Sequence, residues 1–252
     1  MNRVVPMVQS PLRIVSLVPS ITELLYDLGL EERVVGITKF CVHPDYWRKC
    51  KKVVGGTKTL KLDVLLKLEP DWVIGAKEEN DRMQMETLMG RVPVFMSDVS
   101  TVDDAIDLIR SIGAICGVKE KAKELADSVE QHLHNISLKA SGRVAYLIWD
   151  NPLMCAGEGT YIHSILSWMG YTNVVAGVCH GRYPELTLEE LKSLKPEMIF
   201  LSSEPYPFGD KHLELFGRYF SDSNVICVDG EMLSWYGSRM LKIRIPNQHA
   251  AL

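Results

Sequence analysis

The alternation of apolar and polar positions repeats once along the chain. Residues 62–74, LDVLLKLEPDWVI, match residues 188–200, LEELKSLKPEMIF, in carrying leucines at helical spacing, then a proline and an acidic residue, then an apolar run. Proline stops a helix because it lacks a backbone N–H and clashes with the preceding turn. Each segment therefore predicts a helix, a proline stop and a strand.

A second correspondence lies upstream of the first, in the same order in both halves. RIVSLVP at 13–19 pairs with RVAYLIW at 143–149, and each is followed by a helical pattern that ends at Gly29 or Gly170. Each half is therefore predicted to run strand, loop, helix, strand, loop, helix, strand. This order is typical of an α/β lobe with a parallel sheet.

Capping signals mark two of the predicted helix starts. Ser20 is followed three residues later by Glu23, and Thr187 is followed in the same way by Glu190. In a capping box the hydroxyl accepts a hydrogen bond from the third backbone N–H, and the acidic side chain accepts one from the cap residue. Ser20 and Thr187 are therefore expected at the N-caps of two helices, one in each half.

Two helices are predicted between the halves. The first opens at TVDD, residues 101–104, and runs to about Ile115, Gly117 breaks it, and the second begins near Lys119. About 20 residues at 1.5 Å each give the second helix a length of roughly 30 Å. Its apolar positions recur at spacings of three and four: Ala122, Leu125, Ala126, Val129, Leu133 and Ile136.

These patterns together predict an α/β fold with two parallel-sheet lobes joined by a single long α-helix, with a ligand cleft between the lobes. The expected divisions are an N-terminal lobe at 13–117, a connecting helix at 118–141 and a C-terminal lobe at 142–245. A long apolar stripe favours a fixed connection over a flexible hinge, which would be rich in Gly, Ser or Pro.

Charge and hydropathy exclude several kinds of partner. The chain has 252 residues and a formal net charge of −4, and its densest basic run, Arg48 to Lys52, is interrupted by Cys50. No nucleic-acid partner is expected from such a distribution. No run approaches the roughly 18 apolar residues that a membrane span requires, so none is predicted.

The first 15 residues lack the apolar stretch of about 7–15 residues that a signal peptide contains. Two interpretations follow. The protein is cytoplasmic if Met1 is its native start, or a leader was removed before this sequence begins.

Six cysteines occur without any CxxC pair, at positions 41, 50, 116, 155, 179 and 227, and most are expected to be buried free thiols. Cys41 and His43 are the candidates for direct metal contact, since thiolate and imidazole bind transition metals. Cys179 and His180 occupy the corresponding region of the second half. The alternative for both pairs is a buried thiol beside a loop imidazole.

Ligands of open parallel sheets collect beyond the carboxyl ends of the strands. Two predicted strands end before KEENDR at 77–82 and SSEPYPFGD at 202–210, which gives Glu78 and Glu204 equivalent positions. Paired carboxylates could receive cationic or hydrogen-bond-donating ligand groups such as amides. The alternative is that they are solvated loop charges.

Aromatic side chains follow several of the same strands. Tyr206 and Phe208, beside Pro205 and Pro207, are expected to form a rigid aromatic surface. Aromatic walls with a few polar groups suit a large planar chelate better than a bare ion. The expected ligand-binding residues are Pro19, Ser20, Phe40, Glu78, Glu79, Asn80, Trp149, Glu204, Tyr206, Trp235, Tyr236 and Arg239.

Catalytic motifs are absent from the sequence. It contains no G-x-x-x-x-G-K-[ST], no G-x-S-x-G and no H-E-x-x-H, and no nucleophile and base pair stands out. No enzymatic activity and no obligatory cofactor are therefore expected. A metal-dependent enzyme using Cys41 or His43 remains the alternative.

The segments RIVSLVPSITELLYDLGLEERVVGIT, VGGT and LDVLLKLEPDWVI, with the long central helix, resemble the class III periplasmic binding proteins of ABC transporters over roughly residues 13–242. Typical members are the cobalamin and ferric-siderophore receptors. KEENDR, SSEPYPF and DGEMLSWYGSR are similar to the branch called helical-backbone metal receptors.

The resemblance implies a periplasmic receptor that holds cobalamin, haem or a ferric siderophore between two lobes and delivers it to an ABC permease dimer. We expect the protein to be a monomer. It also implies a role for two acidic surface residues. By motif position, Asp63 and Glu189 would contact the permease. The alternative function is a cytosolic carrier or sensor of a metal cofactor.

Overall fold

The computed structural model describes residues 10–246. These residues cluster into two units, of which the first contains residues 10–98, 104–130 and 236–239 and the second contains residues 99–103, 131–235 and 240–246. Residues 236–239 cluster with the first unit although they follow most of the second in sequence, and residues 99–103 cluster with the second unit. Residues 1–9, the start of the segment in which the sequence shows no signal-peptide pattern, lie outside the described residues.

The first unit is built on a five-stranded parallel sheet in the order β3-β2-β1-β4-β5. Its strands are β1 (Ile14–Ser16), β2 (Val34–Ile37), β3 (Lys52–Val53), β4 (Trp72–Ala76) and β5 (Val94–Ser97). Its helices are α1 (Pro19–Asp27), α2 (Trp47–Cys50), α3 (Leu62–Leu66) and α4 (Arg82–Met89), with a 3-10 turn at Glu31–Arg33. The chain adds strands on one side of β1 and then on the other, so a topological switch point lies between β1 and β4.

Helix α1 starts earlier than its sequence predicts. Its N-cap is Val18, which makes no side-chain capping bond, and Pro19 occupies the first helical turn. The prediction that Ser20 and Glu23 form a capping box is therefore wrong. The ring of proline fixes φ near its helical value, and proline has no backbone N–H that needs a capping side chain. Proline is therefore well suited to the first helical position.

Two long helices follow, α5 (Val102–Ile115) and α6 (Lys119–Ile136), at the predicted positions. Residues 119–130 of α6 cluster with the first unit and residues 131–136 with the second. The predicted apolar stripe is confirmed, since Ala122, Ala126, Val129 and Leu133 are each fully buried. No helix within residues 10–246 is both long and apolar enough to cross a membrane.

The second unit contains a sheet in the order β10-β9-β6-β7, with β8 also pairing with β6. Its strands are β6 (Arg143–Trp149), β7 (Met154–Cys155), β8 (Thr172–Asn173), β9 (Met198–Ser202) and β10 (Asn224–Val228). Its helices are α7 (Tyr161–Met169), α8 (Leu188–Ser193), α9 (Asp210–Tyr219) and α10 (Gly230–Ser234), followed by a 3-10 turn at Ser238–Lys242. The pairs of β6 with β8 and β9, and of β9 with β10, are parallel as predicted, whereas the short strand β7 is antiparallel to β6.

The predicted cap of α8 is confirmed. The Thr187 hydroxyl accepts a hydrogen bond from the Glu190 backbone at 3.1 Å, and the Glu190 carboxylate accepts one from the Thr187 backbone at 2.7 Å. These bonds to the ionised carboxylate lower the pKa of Glu190. The predicted end of α7 is confirmed as well, because Gly170 caps it in the left-handed conformation with φ 108°.

The internal repeat extends to matched side-chain contacts. Arg13, before β1, donates to the Leu68 carbonyl at 2.6 Å, and Arg143, at the start of β6, donates to the Leu194 carbonyl at 2.7 Å. Both carbonyls lie just beyond the helix of the repeated segment. Arginine at a helix C-terminus satisfies carbonyls that have no partner within the helix. In both halves, an arginine at the first strand therefore binds a carbonyl at the end of the repeated helix.

Candidate functional site

The carboxyl ends of parallel strands meet at one edge of a sheet, and in the first unit this edge carries several of the predicted residues. Pro19 and Ser20 follow β1, Phe40 follows β2, and Glu78 and Glu79 follow β4. Phe40 is 49% exposed, whereas Ser20 is only 3% exposed. The edge therefore offers one accessible aromatic ring and two partly buried acidic side chains.

Tyr236 lies against this same edge. Its side chain is buried, and its hydroxyl lies 3.5 Å from the hydroxyl of Ser97 at the end of β5. Burial raises the pKa of Tyr236, and the negative charges of Glu79 and Glu78 raise it further. The phenol therefore stays protonated at neutral pH.

Asn80 braces the loop after β4. Its side-chain oxygen accepts a hydrogen bond from the Ala76 backbone at 2.8 Å, and its side-chain nitrogen donates to the Thr57 carbonyl at 3.1 Å. The residue is 4% exposed. These contacts give Asn80 a role in holding the loop that carries Glu78 and Glu79.

Cys41 has the surroundings of a buried thiol. It is 1% exposed, and its sulfur lies 3.0 Å from the Thr22 hydroxyl and 3.2 Å from the Thr38 hydroxyl. Burial raises the pKa of Cys41 to about 11, so the thiol is neutral at pH 7. His43 is half-buried, and residues 10–246 contain no group of three or more His, Cys, Asp or Glu side chains that could hold a metal ion.

Arg239 forms a buried ion pair with Glu23 of α1. Its Nε lies 2.6 Å from one Glu23 oxygen and its second guanidinium nitrogen lies 2.9 Å from the other. Both side chains are 7% exposed. The pair therefore fastens residues 236–239 to α1, a role that the sequence did not indicate for either residue.

In the second unit, Glu204 follows β9 and accepts two hydrogen bonds on one carboxylate oxygen. The donors are the Trp235 indole at 2.6 Å and the Ser234 hydroxyl at 3.0 Å. Burial raises the pKa of Glu204 against the opposing effect of these donors. Gly230 makes this position possible, because a Cβ there would lie 2.5 Å from the Glu204 Cγ. Trp235 is itself 7% exposed, so its indole serves to hold Glu204.

Trp149, at the end of β6, lies beside Tyr206. Their ring centroids are 5.5 Å apart with an interplanar angle of 63°, and Trp149 is 38% exposed. The Tyr206 hydroxyl donates to the Asp150 carboxylate at 3.3 Å. The second unit thus presents an aromatic face with a carboxylate at its edge, which we name the Trp149 face: Trp149, Asp150 and Tyr206.

Phe208 does not belong to this face, and its prediction as an aromatic surface residue is wrong. It is 4% exposed and packs in the core of the second unit, with its ring 6.2 Å from that of Phe216 on α9. The apolar ring gains more from burial than from contact with water. Tyr206, which carries a hydroxyl, is half-buried and packs against the edge of the same core.

The loop that follows β8 lines a separate cavity of about 350 Å³. It is bordered by Glu158, Gly159, Gly177, Cys179, His180, Gly181 and Arg182. Burial raises the pKa of the Cys179 thiol, and the charge of Glu190 adds to the effect. Cys179 and His180 are therefore neighbours at a cavity, with the cysteine in its thiol form.

Sequence reasoning missed two residues of these sites. The sequence predicts Glu23 to cap a helix, and its pairing with Arg239 has no local signal. The second residue is His212, whose Nε2 atom lies 3.0 Å from the Tyr206 hydroxyl. The signal for His212 was available, since it stands three residues after Gly209 at the start of an amphipathic helix, where side chains often bond the preceding backbone.

A duplicated α/β arrangement, with aromatic and acidic side chains on loops at the carboxyl ends of the strands, defines an α/β solute-binding protein. A family model described as periplasmic binding protein matches residues 14–215. The match covers most of the chain, and the chain therefore belongs to the periplasmic binding protein family.

Three similar proteins illustrate the likeness, at 21–23% identity over the aligned residues. The vitamin B12-binding protein of Pectobacterium carotovorum subsp. carotovorum (strain PC1) is 23% identical over 238 residues, which cover 92% of this chain and 85% of the relative. The periplasmic vitamin B12 binding protein of Vibrio cholerae superposes with a TM-score of 0.81 at 21% identity, over 92% of this chain and 93% of the other. A periplasmic heme binding protein from Pseudomonas aeruginosa gives 0.79 at 22% identity, over 92% and 89%. These structures share the fold of this chain.

Proposed function

We propose that this protein binds a metal chelate, a corrinoid such as cobalamin, a haem or a ferric siderophore, for ABC-type uptake. The observation that carries the proposal is the Trp149 face, where an accessible indole lies 5.5 Å from the Tyr206 ring beside the Asp150 carboxylate. Flat aromatic surface with a few polar groups suits a large, partly apolar planar ligand. The relatives named above are vitamin B12-binding and heme-binding proteins, which supports the same class of ligand.

Among these chelates, a corrinoid fits the acidic side chains of Asp150 and Glu204 best. Asp150 and Glu204 are both hydrogen-bond acceptors on loops that follow neighbouring strands, β6 and β9. The amide groups around a corrinoid ring can donate to such acceptors. The propionates of haem carry negative charge, and like charges at close range are unfavourable.

The proposed role is binding without chemical conversion of the ligand. Solute binding in this family requires a ligand that is held and released intact. Incubation with hydroxocobalamin, followed by denaturation and chromatography, should return the compound unchanged. Recovery of a modified corrinoid would favour the enzymatic alternative.

Delivery to a permease is proposed to use Asp63 and Glu189. Both residues are exposed and lie in the first turns of α3 and α8, the equivalent helices of the internal repeat. The Glu189 carboxylate also accepts a hydrogen bond from the Tyr219 hydroxyl at 3.0 Å. Exposed carboxylates at matched positions can form charge-assisted hydrogen bonds with arginines. A monomeric receptor would use one carboxylate on each half of a permease dimer.

The test is a titration of the purified protein with hydroxocobalamin, dicyanocobinamide, haemin and a ferric hydroxamate, followed by tryptophan fluorescence and by absorption. We expect quenching and a spectral shift with the corrinoids, with weaker binding of haemin. Trp149→Ala should weaken binding at least tenfold, which corresponds to about 1.4 kcal/mol. Leu138→Ala, at an exposed apolar residue, is the control and should bind normally. If none of the four compounds changes the fluorescence or the absorption spectrum, the proposed function is wrong.

A further inference from the structure

His212 is a buried histidine in the first turn of α9. It is 5% exposed, and the rings of Tyr206 and Phe208 lie edge-on to it at centroid distances of 5.3 Å and 5.2 Å. A buried imidazole needs hydrogen-bond partners for both ring nitrogens. The partners that it has define which nitrogen carries the proton.

The Nδ1 atom of His212 lies 3.2 Å from the backbone nitrogen of Gly209. A backbone N–H only donates, so Nδ1 accepts and carries no proton. In the neutral imidazole the proton is then on Nε2. The Nε2 atom lies 3.0 Å from the Tyr206 hydroxyl oxygen, and it therefore donates to that oxygen.

The hydrogen bond from His212 to the Tyr206 oxygen fixes the direction of the Tyr206 O–H. The Tyr206 hydroxyl lies 3.3 Å from one oxygen of Asp150, and an ionised carboxylate only accepts. The His212 Nε2 atom is itself 3.9 Å from that oxygen, which is too long for a hydrogen bond. Asp150 is therefore reached through Tyr206, in a chain from Gly209 to His212 to Tyr206 to Asp150.

We infer that His212 is a positioning residue for ligand binding at the Trp149 face. His212 holds the Tyr206 ring beside Trp149. Because His212 donates to the Tyr206 oxygen, the Tyr206 O–H donates to Asp150. Tyr206 and Asp150 are then left with hydrogen-bond acceptor positions only. The ligand group that binds there is therefore a hydrogen-bond donor such as an amide N–H. This inference rests on the proposed function and adds a residue that needs no contact with the ligand.

Two substitutions separate positioning from mere support of α9. His212→Gln places an amide N–H near the position of Nε2 and can still donate to Tyr206. His212→Asn places a carbonyl oxygen near the position of Nδ1, so it keeps the bond from Gly209 and loses the donor to Tyr206. We expect His212→Asn to weaken dicyanocobinamide binding about tenfold and His212→Gln to stay within about threefold of wild type, as loss of one hydrogen bond predicts. Equal affinities for the two variants would overturn the inference, whatever their stabilities.

Tyr206→Phe supplies the matched control, because it removes the group on which His212 acts. Adding His212→Asn to Tyr206→Phe should cause no further loss of affinity, since the effect passes through the Tyr206 hydroxyl. Additive losses in the double variant would contradict the proposed chain.

A measurement on the ligand-free protein makes the two proposals distinguishable. Nitrogen NMR of labelled histidine at pH 7 should show His212 as the neutral Nε2–H form, with an Nε2 proton that exchanges slowly with water and changes in Tyr206→Phe. A proton on Nδ1 would overturn the inference even if corrinoids bind. If no chelate binds while His212 shows the expected form, the proposed function fails and the His212 to Tyr206 hydrogen bond stands.

Discussion

Glu23 and Arg239 are joined by two hydrogen bonds, at 2.6 Å and 2.9 Å, although 216 residues separate them in the sequence. Both side chains are 7% exposed, so neither charge has water to replace its partner. A buried charge that loses its partner is strongly unfavourable, even where the intact pair adds little net stability. The pair therefore secures the segment at 236–239 on the first unit.

Removing one member of this pair should destabilise the protein strongly. Glu23→Gln or Arg239→Met should each lower the free energy of unfolding by about 3–5 kcal/mol, measured by urea denaturation. The control is Arg82→Ala, at the exposed pair with Glu86, which should cost no more than about 0.5 kcal/mol. The double variant Glu23→Gln, Arg239→Met should cost less than the sum of the two single changes. A cost for Arg239→Met as small as for Arg82→Ala would show that the pair is not closed in solution.

Close packing of α5 against α6 predicts an unusual response to alanine. A Cβ at Gly113 would lie 2.1 Å from the Cβ of Ala122. Gly113→Ala should therefore destabilise the protein by about 1–3 kcal/mol, although alanine is the better helix former. Gly217→Ala in α9 is the matched control, because nothing lies within 4 Å of its added Cβ, and it should stabilise by about 0.5–1 kcal/mol. Thermal unfolding of both variants decides the point, and a stabilising Gly113→Ala would contradict the observed contact.

The Cys41 thiol should make stability depend on alkaline pH. Its pKa is raised from 9.0 to about 11 in the folded protein, chiefly by burial. Between these values the unfolded chain loses the proton and the folded one keeps it, so stability falls as pH rises from 9 toward 11. From pH 8 to 10.5 the loss from this group is about 2 kcal/mol.

Comparison with Cys41→Ala isolates this component from the other buried thiols and phenols. The difference in unfolding free energy between wild type and Cys41→Ala should shrink by that amount over the pH range. Cys50→Ala, which removes an exposed cysteine, is the matched control. A difference for Cys41→Ala that does not change with pH would show that the folded thiol titrates as in the unfolded chain.

Gly230 should be required for the position of Glu204. A Cβ there would lie 2.5 Å from both the Glu204 Cγ and the Ser202 hydroxyl oxygen. Gly230→Ala should therefore displace Glu204 and weaken its bond from Trp235, with a cost of about 1–3 kcal/mol in stability. Tryptophan fluorescence of the ligand-free variant should shift as the indole loses its acceptor. Gly90→Ala, where the nearest atom would lie 3.7 Å away, is the control. An unchanged spectrum for Gly230→Ala would contradict the tight contact.

Much of the architecture could be predicted because its causes are local or repeated. The helix of each repeated segment, the stripe on α6 and the Thr187 cap follow from periodicity and from residues three or four positions apart. The same local reasoning failed at Ser20, because Pro19 already starts the helix and Glu23 bonds to Arg239 instead. It failed at Phe208 because the core of the second unit takes the ring.

By itself the sequence determined the strand, helix, strand, helix, strand order of each repeated half, the two helices between the halves, and the loops that carry candidate ligand residues. The tertiary structure alone decided that Arg239 pairs with Glu23, that the indole of Trp235 holds Glu204, and that His212 orders Tyr206 and Asp150. The physical reason is that periodicity and capping act within a few residues of the chain. The partner of a buried charge or imidazole is instead whichever group the folded backbone brings within about 3 Å of it.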